Sequence, residues 1–142
     1  MNDWFELEQL HFASAEGDLP RVRALVEAGT DVNLKDQDLS LTPLHHAAMR
    51  EHCAVASFLL SVGADVNAND PSRIGETPLG EVAQSCSLAM AEILINAGAN
   101  PLIRGNMRNT ALDRAAKRKK PEGVLVYNLL LTTARRKFHY QG

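Results

Sequence analysis

Three histidines and a cysteine lie close together in the sequence, and their side chains are the ones that most often bind zinc. The residues are His45, His46, His52 and Cys53. Adjacent histidines on a helix point about 100° apart. The chain also lacks paired cysteines and any two histidines four residues apart with a glutamate between them. We therefore expect no metal ion at these residues and no cofactor elsewhere.

Catalytic motifs are also missing from the sequence. It contains no nucleophile elbow, no glycine-rich phosphate loop and no dinucleotide fingerprint. Carboxylates are abundant, but a general acid and a general base need a pocket that separates their pKa values. We therefore expect a protein that is not an enzyme.

The cysteine count and the apolar runs predict a compartment. Cys53 and Cys86 are too few for a disulfide framework, which favours a reducing, cytoplasmic location. No apolar run approaches the ~18 residues that a membrane-spanning helix needs. We expect no membrane association.

Charge is distributed very unevenly along the chain. The formal net charge of −2 combines −10 over residues 1–103 with +8 over residues 104–142. The basic end has three interpretations: a solvated outer face of a terminal unit, a docking patch for an acidic protein, or a nucleic-acid site. Nucleic acid is the least favoured, because only Phe138 and Tyr140 lie near the basic residues to stack on bases. Head-to-tail self-association of the acidic and basic ends is a further alternative to a monomer.

Two short blocks recur in phase along the sequence. The first, AGTDVN at residues 28–33, returns around Gly63 and Gly98, so that its glycines are 34 and 35 residues apart. The second, TPLHHAA at residues 42–48, returns at Thr77 and Thr110, at spacings of 35 and 33 residues. A fixed period of this length predicts a stack of short structural repeats.

The second block and this period resemble the ankyrin repeat family, whose unit of about 33 residues carries a Thr-Pro-Leu-His-x-Ala motif. The resemblance implies a single all-α domain over residues 1–142, a solenoid of four helix-turn-helix units joined by β-hairpin-like loops. The units span about residues 3–36, 37–70, 71–105 and 106–139, and the last acts as a C-terminal cap. The resemblance also assigns His45 and His52 to hydrogen bonds that tie neighbouring units together.

Local chemistry supports the same helices. In unit two, Thr42 is expected to cap a helix that runs from Pro43 to about Arg50, and a second helix is expected over about 54–61. Left-handed glycines end the second helices, at Gly29, Gly63 and Gly98.

Departures from the family pattern predict local differences. Asn2 or Asp3 is expected to cap a long first helix. Unit four, with Pro121, is expected to have a longer second helix. Glu51, Cys86 and Lys119 replace a family glycine, so we expect turns there that are strained or differently shaped.

The resemblance implies a partner site on the loop tips and on the ends of the first helices. Exposed apolar residues and arginines at those positions are typical interface anchors. The expected contact residues are Trp4, Leu39, Leu41, Met49, Arg50, Arg73, Ile74, Gln84, Met107, Arg108, Lys117 and Arg118. For Leu41 and Ile74 the alternative is burial against the neighbouring loop.

The sequence thus predicts a non-enzymatic protein–protein interaction module whose partner is unidentified. One alternative is a bacterial immunity or inhibitor protein that neutralises a toxin or hydrolase. The other is nucleic-acid binding through the basic C-terminal unit.

Overall fold

Four pairs of helices follow one another in the computed structural model, which describes residues 7–70, 72 and 75–142. Residues 1–6 and positions 71, 73 and 74 lie outside this description. The pairs are α1 (Gln9–Glu16) and α2 (Leu19–Glu27), α3 (Pro43–Met49) and α4 (Cys53–Ser61), α5 (Pro78–Val82) and α6 (Leu88–Asn96), α7 (Ala111–Ala115) and α8 (Pro121–Lys137).

The loops between the pairs contain no strand within the described ranges. They turn back on themselves through single backbone bonds, from Asp36 N to Leu41 O and from Gly105 N to Asn109 O, both 2.8 Å long. A short 3₁₀ turn, Asn106–Arg108, lies at the tip of the last loop. The all-helical solenoid predicted from the sequence is confirmed.

Threonine begins the first helix of units two, three and four. The hydroxyl oxygens of Thr42, Thr77 and Thr110 each accept a hydrogen bond from the backbone N–H three residues later, which satisfies a donor that the helix leaves free. Proline follows in units two and three, where its missing N–H costs nothing. The observed α3 and α4 begin and end within one residue of the predicted helices.

The core runs along the stack, between the helices of successive units. Each first helix contacts the first helix of the next unit, and each second helix contacts the second helix of the next unit. Leucines at equivalent positions form the centre of the core, and alanines allow close helix contacts. The leucines are Leu10, Leu44, Leu79 and Leu112, all at most 4% exposed.

Asparagine side chains join the loops of neighbouring units. Asn33 donates through Nδ2 to Gly63 O (3.0 Å) and accepts at Oδ1 from Asp65 N (2.7 Å). Asn67 repeats both bonds one unit later, to Gly98 O (3.2 Å) and from Asn100 N (2.8 Å). Gly29, Gly63 and Gly98 are left-handed, with φ between 98° and 104°.

Three predicted departures have different outcomes. Helix α8 is 17 residues long, so the longer last helix is confirmed. Glu51 is left-handed, with φ of 61°, as expected for a residue that replaces glycine. Cys86 and Lys119 are not among the described residues with positive φ, so the turns there have a different shape, which was the alternative to strain. The expected caps Asn2 and Asp3 lie outside the described residues.

Candidate functional site

His45 is buried and joins unit two to unit three. Its Nδ1 accepts hydrogen bonds from Thr42 N (3.0 Å) and Thr42 Oγ1 (2.9 Å), so its Nε2 carries the proton and donates to Glu76 O (2.8 Å). Burial lowers the pKa of His45 to about 4, which keeps the imidazole neutral. His52 makes a similar link, from Nε2 to Ala15 O of unit one (2.9 Å).

His11 performs the same task at the first boundary, and the sequence interpretation missed it. Its Nε2 lies 2.7 Å from Leu34 O and 3.1 Å from Leu41 O, both in the loop that leads to unit two. Burial lowers its pKa. Unit one lacks the Thr-Pro pair, but the distance of 34 residues from His11 to His45 carries the repeat signal.

The boundary between units three and four uses charge instead of imidazole. Gly80 stands where unit two has His45, and the Glu76 carboxylate lies beside it. Glu76 Oε1 accepts from Asn106 N (2.6 Å) and from Arg114 Nη2 (2.7 Å), and Glu76 is only 6% exposed. Burial, followed by the charge of Glu76, raises the pKa of the Glu81 carboxyl. Nothing in the motif itself predicted this cluster.

Half-buried polar residues lie on the first helices between the loop tips and the helix ends. His46, Glu81 and Arg114 are the fourth residues after Thr42, Thr77 and Thr110. His46 Nε2 lies 2.9 Å from Asp36 Oδ2. Partial burial alone would raise the pKa of the Asp36 carboxyl, but the hydrogen bonds that it accepts, of which the one from His46 has the largest effect, lower that pKa. His46 and Arg114 are therefore held by ion pairs within the protein.

Most of the predicted contact residues within the described part of the chain are exposed. Arg50, Gln84, Arg108 and Lys117 are exposed, and Leu39 and Met49 are each 44% exposed. Met107 is 82% exposed at the tip of the last loop. Trp4, Arg73 and Ile74 lie outside the described residues.

Two of the expected contact residues face inward. Leu41 is 5% exposed, so it takes the alternative of burial against the neighbouring loop; its backbone oxygen receives bonds from His11 and Asp36. Arg118 is half-buried, and its Nη1 donates to Cys86 O (2.8 Å) and Ala83 O (3.4 Å). Arg118 therefore links units three and four, and its guanidinium is hydrogen-bonded within the protein.

The structure brings three of the predicted residues, Gln84, Lys117 and Arg118, into one cleft between the turn after α5 and the turn after α7. The cleft has a volume of about 380 Å³. Its lining residues are Gln84, Ser85, Lys117, Arg118, Lys119 and Lys120. Met107 and Arg108 lie at the opposite ends of the first helices, so the predicted site has two parts, which we call the tip surface (Leu39, Met107, Arg108) and the basic cleft.

The cysteines have no metal-binding or reactive setting. Among the described residues, no group of three or more histidines, cysteines or carboxylates is arranged to hold a metal ion. Burial raises the pKa of the Cys86 thiol to about 11, so that it remains protonated. Burial, with the charge of Glu51, also raises the pKa of Cys53. Across the described ranges, no helix is both long enough and apolar enough to cross a bilayer.

Comparison with known proteins agrees with the repeat geometry. A family model described as ankyrin repeats, in three copies, matches residues 10–104. The chain is 35% identical over 97 residues to the mouse nuclear factor NF-kappa-B p105 subunit, which covers 68% of this chain and 10% of that protein. It is 47% identical over 58 residues to human ankyrin repeat domain-containing protein 40, covering 41% of this chain and 16% of the relative. It is 37% identical over 92 residues to the Drosophila melanogaster palmitoyltransferase Hip14, covering 65% and 14%. The chain thus spans less than a fifth of each of these relatives.

Proposed function

Because the chain belongs to the ankyrin repeat family, a generally non-catalytic interaction fold, we propose that it binds a protein partner through the tip surface and the ends of its first helices. One observation carries the proposal. Met107, an apolar side chain, is 82% exposed at the tip of a loop whose backbone is held in place.

The backbone of this tip is strained. Met107 and Arg108 are both left-handed, with φ of 57° and 62°, a conformation that costs a non-glycine residue about 1–2 kcal/mol. Bonds from Asn106 N to Glu76 and from Gly105 N to Asn109 O hold the loop in this form. Strain of this kind collects at functional sites, where it fixes side chains that a partner contacts. An exposed methionine beside an arginine fits an interface anchor.

Exposed apolar residues in unit two extend the same surface. Leu39 lies in the loop before α3, and Met49 lies at the end of α3, followed by exposed Arg50. A partner that crosses the first helices from tip to end would contact all three. This arrangement supports binding along several units rather than at one point.

The test compares two double variants of the full chain as bait in affinity capture with quantitative mass spectrometry. Met107→Ala with Arg108→Ala removes the tip anchors and keeps a Cβ at both strained positions. Leu125→Ala with Arg136→Ala, on the exposed side of α8, is the matched control because it also removes one exposed apolar and one exposed arginine side chain. We expect the partner to be retained by the control and depleted about tenfold or more by the tip variant. Equal retention by both folded variants would overturn the tip assignment.

The effect of binding on the partner's activity is a separate question from the place of binding. We place the protein in the cytoplasm, where its two free cysteines stay reduced. If the captured partner is a toxin or a hydrolase, we propose that this chain inhibits it. Titration of the purified partner's activity with the wild-type chain then measures the inhibition.

A further inference from the structure

The basic cleft is formed by two turns that belong to different units. Gln84 and Ser85 follow α5, and residues 117–120 follow α7. The volume of about 380 Å³ lies within the range of about 300–1,000 Å³ that is usual for ligand sites in proteins. The cleft is large enough for a few amino-acid side chains.

Arg118 fixes the two walls relative to each other. Its guanidinium donates to the carbonyl oxygens of Ala83 and Cys86, across the boundary between units three and four. A Cβ built on Gly123 would lie 2.5 Å from the Arg118 Cβ, so the side chain packs directly against the first turn of α8. The neighbouring lysines are therefore carried by a turn that is tied to the next unit.

The lysines of the cleft form no ion pair with a carboxylate among the described residues. Lys117, Lys119 and Lys120 are exposed, and neither of the two ion pairs in the described part of the chain includes a lysine. The acidic residues nearest in sequence, Asp113 and Glu122, accept hydrogen bonds from Thr110 N (3.0 Å) and Leu88 N (3.2 Å), respectively. The cleft thus presents three ammonium groups, unpaired within the described part of the chain, beside the neutral hydrogen-bonding groups of Gln84 and Ser85.

Charge complementarity favours a short anionic segment over a long polyanion. Residues 1–103 carry a net charge of −10, so a nucleic-acid strand that extended beyond the cleft would meet a repelling surface. The cleft lining includes no aromatic side chain on which bases could stack. A short segment with a few carboxylates is attracted by the lysines and does not extend to the repelling acidic surface.

We propose that the basic cleft binds a short, Asp- and Glu-rich segment of the protein partner, a step that rests on the proposed interaction function. The position of Met49 predicts a second feature of this segment, an apolar residue near the carboxylates. Met49 occupies in unit two the position that Gln84 and Lys117 occupy in units three and four. Neighbouring helices lie about 8–10 Å apart and an extended chain advances about 3.3 Å per residue. Lys117 is two units away from Met49, about 16–20 Å, so an apolar residue about five or six positions from the carboxylates reaches Met49.

The experiment measures fluorescence anisotropy of labelled synthetic peptides with the full chain. The probes are hexaglutamate, a peptide with leucine five residues before the glutamates, hexalysine, and single-stranded DNA of the same charge as hexaglutamate. We expect both acidic peptides to bind, the leucine peptide severalfold more tightly, and Met49→Ala to remove only that difference. Tighter binding of the DNA than of either acidic peptide, or no binding of the acidic peptides, would overturn the proposal.

Two variants with the same change in net charge test the place of binding. Lys117→Glu with Lys119→Glu changes the cleft, whereas Arg136→Glu with Lys137→Glu changes the far end of α8, about 25 Å away along the helix. We expect the first variant to lose at least tenfold in affinity and the second to stay within about threefold. Equal losses would show a general effect of charge and would exclude the cleft.

The same cleft variant separates this inference from the proposed function. If the captured partner is lost by the variant of Met107 and Arg108 but not by that of Lys117 and Lys119, the interaction function stands and the cleft assignment fails. If acidic peptides bind the cleft while the tip variant retains its partner, the tip assignment fails and the cleft stands.

Discussion

Glu76 places its carboxylate against Gly80, the residue that stands where the preceding unit has His45. A Cβ built on Gly80 would lie 2.5 Å from Glu76 Oε2, so the absence of a side chain at Gly80 makes room for the carboxylate. Glu76 then reaches Arg114 and the loop of unit four. One residue type lost from the repeat motif thus allows a different chemical link between units.

Replacing Glu76 by alanine is expected to destabilise the protein by about 2–3 kcal/mol. The change leaves Arg114 without its carboxylate and Asn106 N without its acceptor, and removal of one member of a buried ion pair is strongly destabilising. The value is below that of a fully buried pair because the Arg114 side chain is 21% exposed. Urea denaturation measures the free energy of unfolding.

Glu76→Gln is the matched control for that substitution. Its amide oxygen still accepts from Asn106 N and Arg114, so we expect a smaller loss than for alanine. Equal losses in the two variants would show that the stabilisation comes from the carboxylate charge, because the hydrogen bonds that glutamine can still accept would then contribute nothing.

Acid is expected to weaken the protein through His45. Burial places its folded-state pKa at about 4, below the ordinary value of 6.5, so the unfolded chain binds more protons between these limits. The stabilisation is complete above about pH 6.5 and is lost as the pH falls towards 4, to an extent of about 3 kcal/mol. His11, whose pKa burial also lowers, acts in the same direction.

The His45 contribution is measured as a difference between two pH values. Urea denaturation at about pH 7 and about pH 4.5 gives the loss for the wild-type chain and for His45→Gln. We expect a loss smaller by about 2 kcal/mol in the variant, which has no imidazole to protonate. A variant that loses as much stability as the wild-type chain would contradict the assignment.

Gly17→Ala is expected to be more harmful than Gly29→Ala. Both glycines are left-handed, with φ of 76° and 99°, so alanine costs about 1–2 kcal/mol at either position. At Gly17 the new Cβ would also lie 2.5 Å from His52 Nδ1, whereas nothing lies within 4 Å at Gly29. We expect a further loss of about 1–3 kcal/mol at Gly17, measured by urea denaturation.

A double-mutant cycle isolates the contact with His52. His52→Ala removes the ring that the new methyl group would strike, so it should cost less in the Gly17→Ala background than in the wild-type chain. Additive losses would mean that the ring does not limit substitution at Gly17.

Local signals in the sequence predicted the helices and the fold. Thr42 with Pro43 marks the start of a helix and Gly63 marks the end of one, whatever lies elsewhere in the chain. The recurrence of these residues defined the length of the repeat, and that length predicted a stack of repeats. The exposure of Met107 and Lys117 followed from their positions in the unit.

Contacts between units were harder to predict because they depend on pairs of residues about 30 or more positions apart. Leu41 is apolar and lies in a loop, so the sequence left both exposure and burial open, and the structure shows it buried, with its backbone oxygen bonded to His11. Arg118 was expected to face a partner, but the carbonyl oxygens of Ala83 and Cys86 lie within its reach. The Glu76 link depends on the space that Gly80 leaves free, and no sequence motif marks a position where the absence of a side chain matters.

The asparagine links determine where the molecule can grow. Asn33 and Asn67 make the same two bonds one unit apart, and His11 and His45 both bond to the loop of the following unit. Duplication of residues 37–70 would reproduce every one of these bonds in the added copy. The junction of Glu76 with Arg114 has no counterpart in the earlier units, so a unit added there would find no matching surface. A second copy of unit two would therefore meet equivalent bonding partners on both sides, whereas a unit inserted between units three and four would separate Glu76 from Arg114.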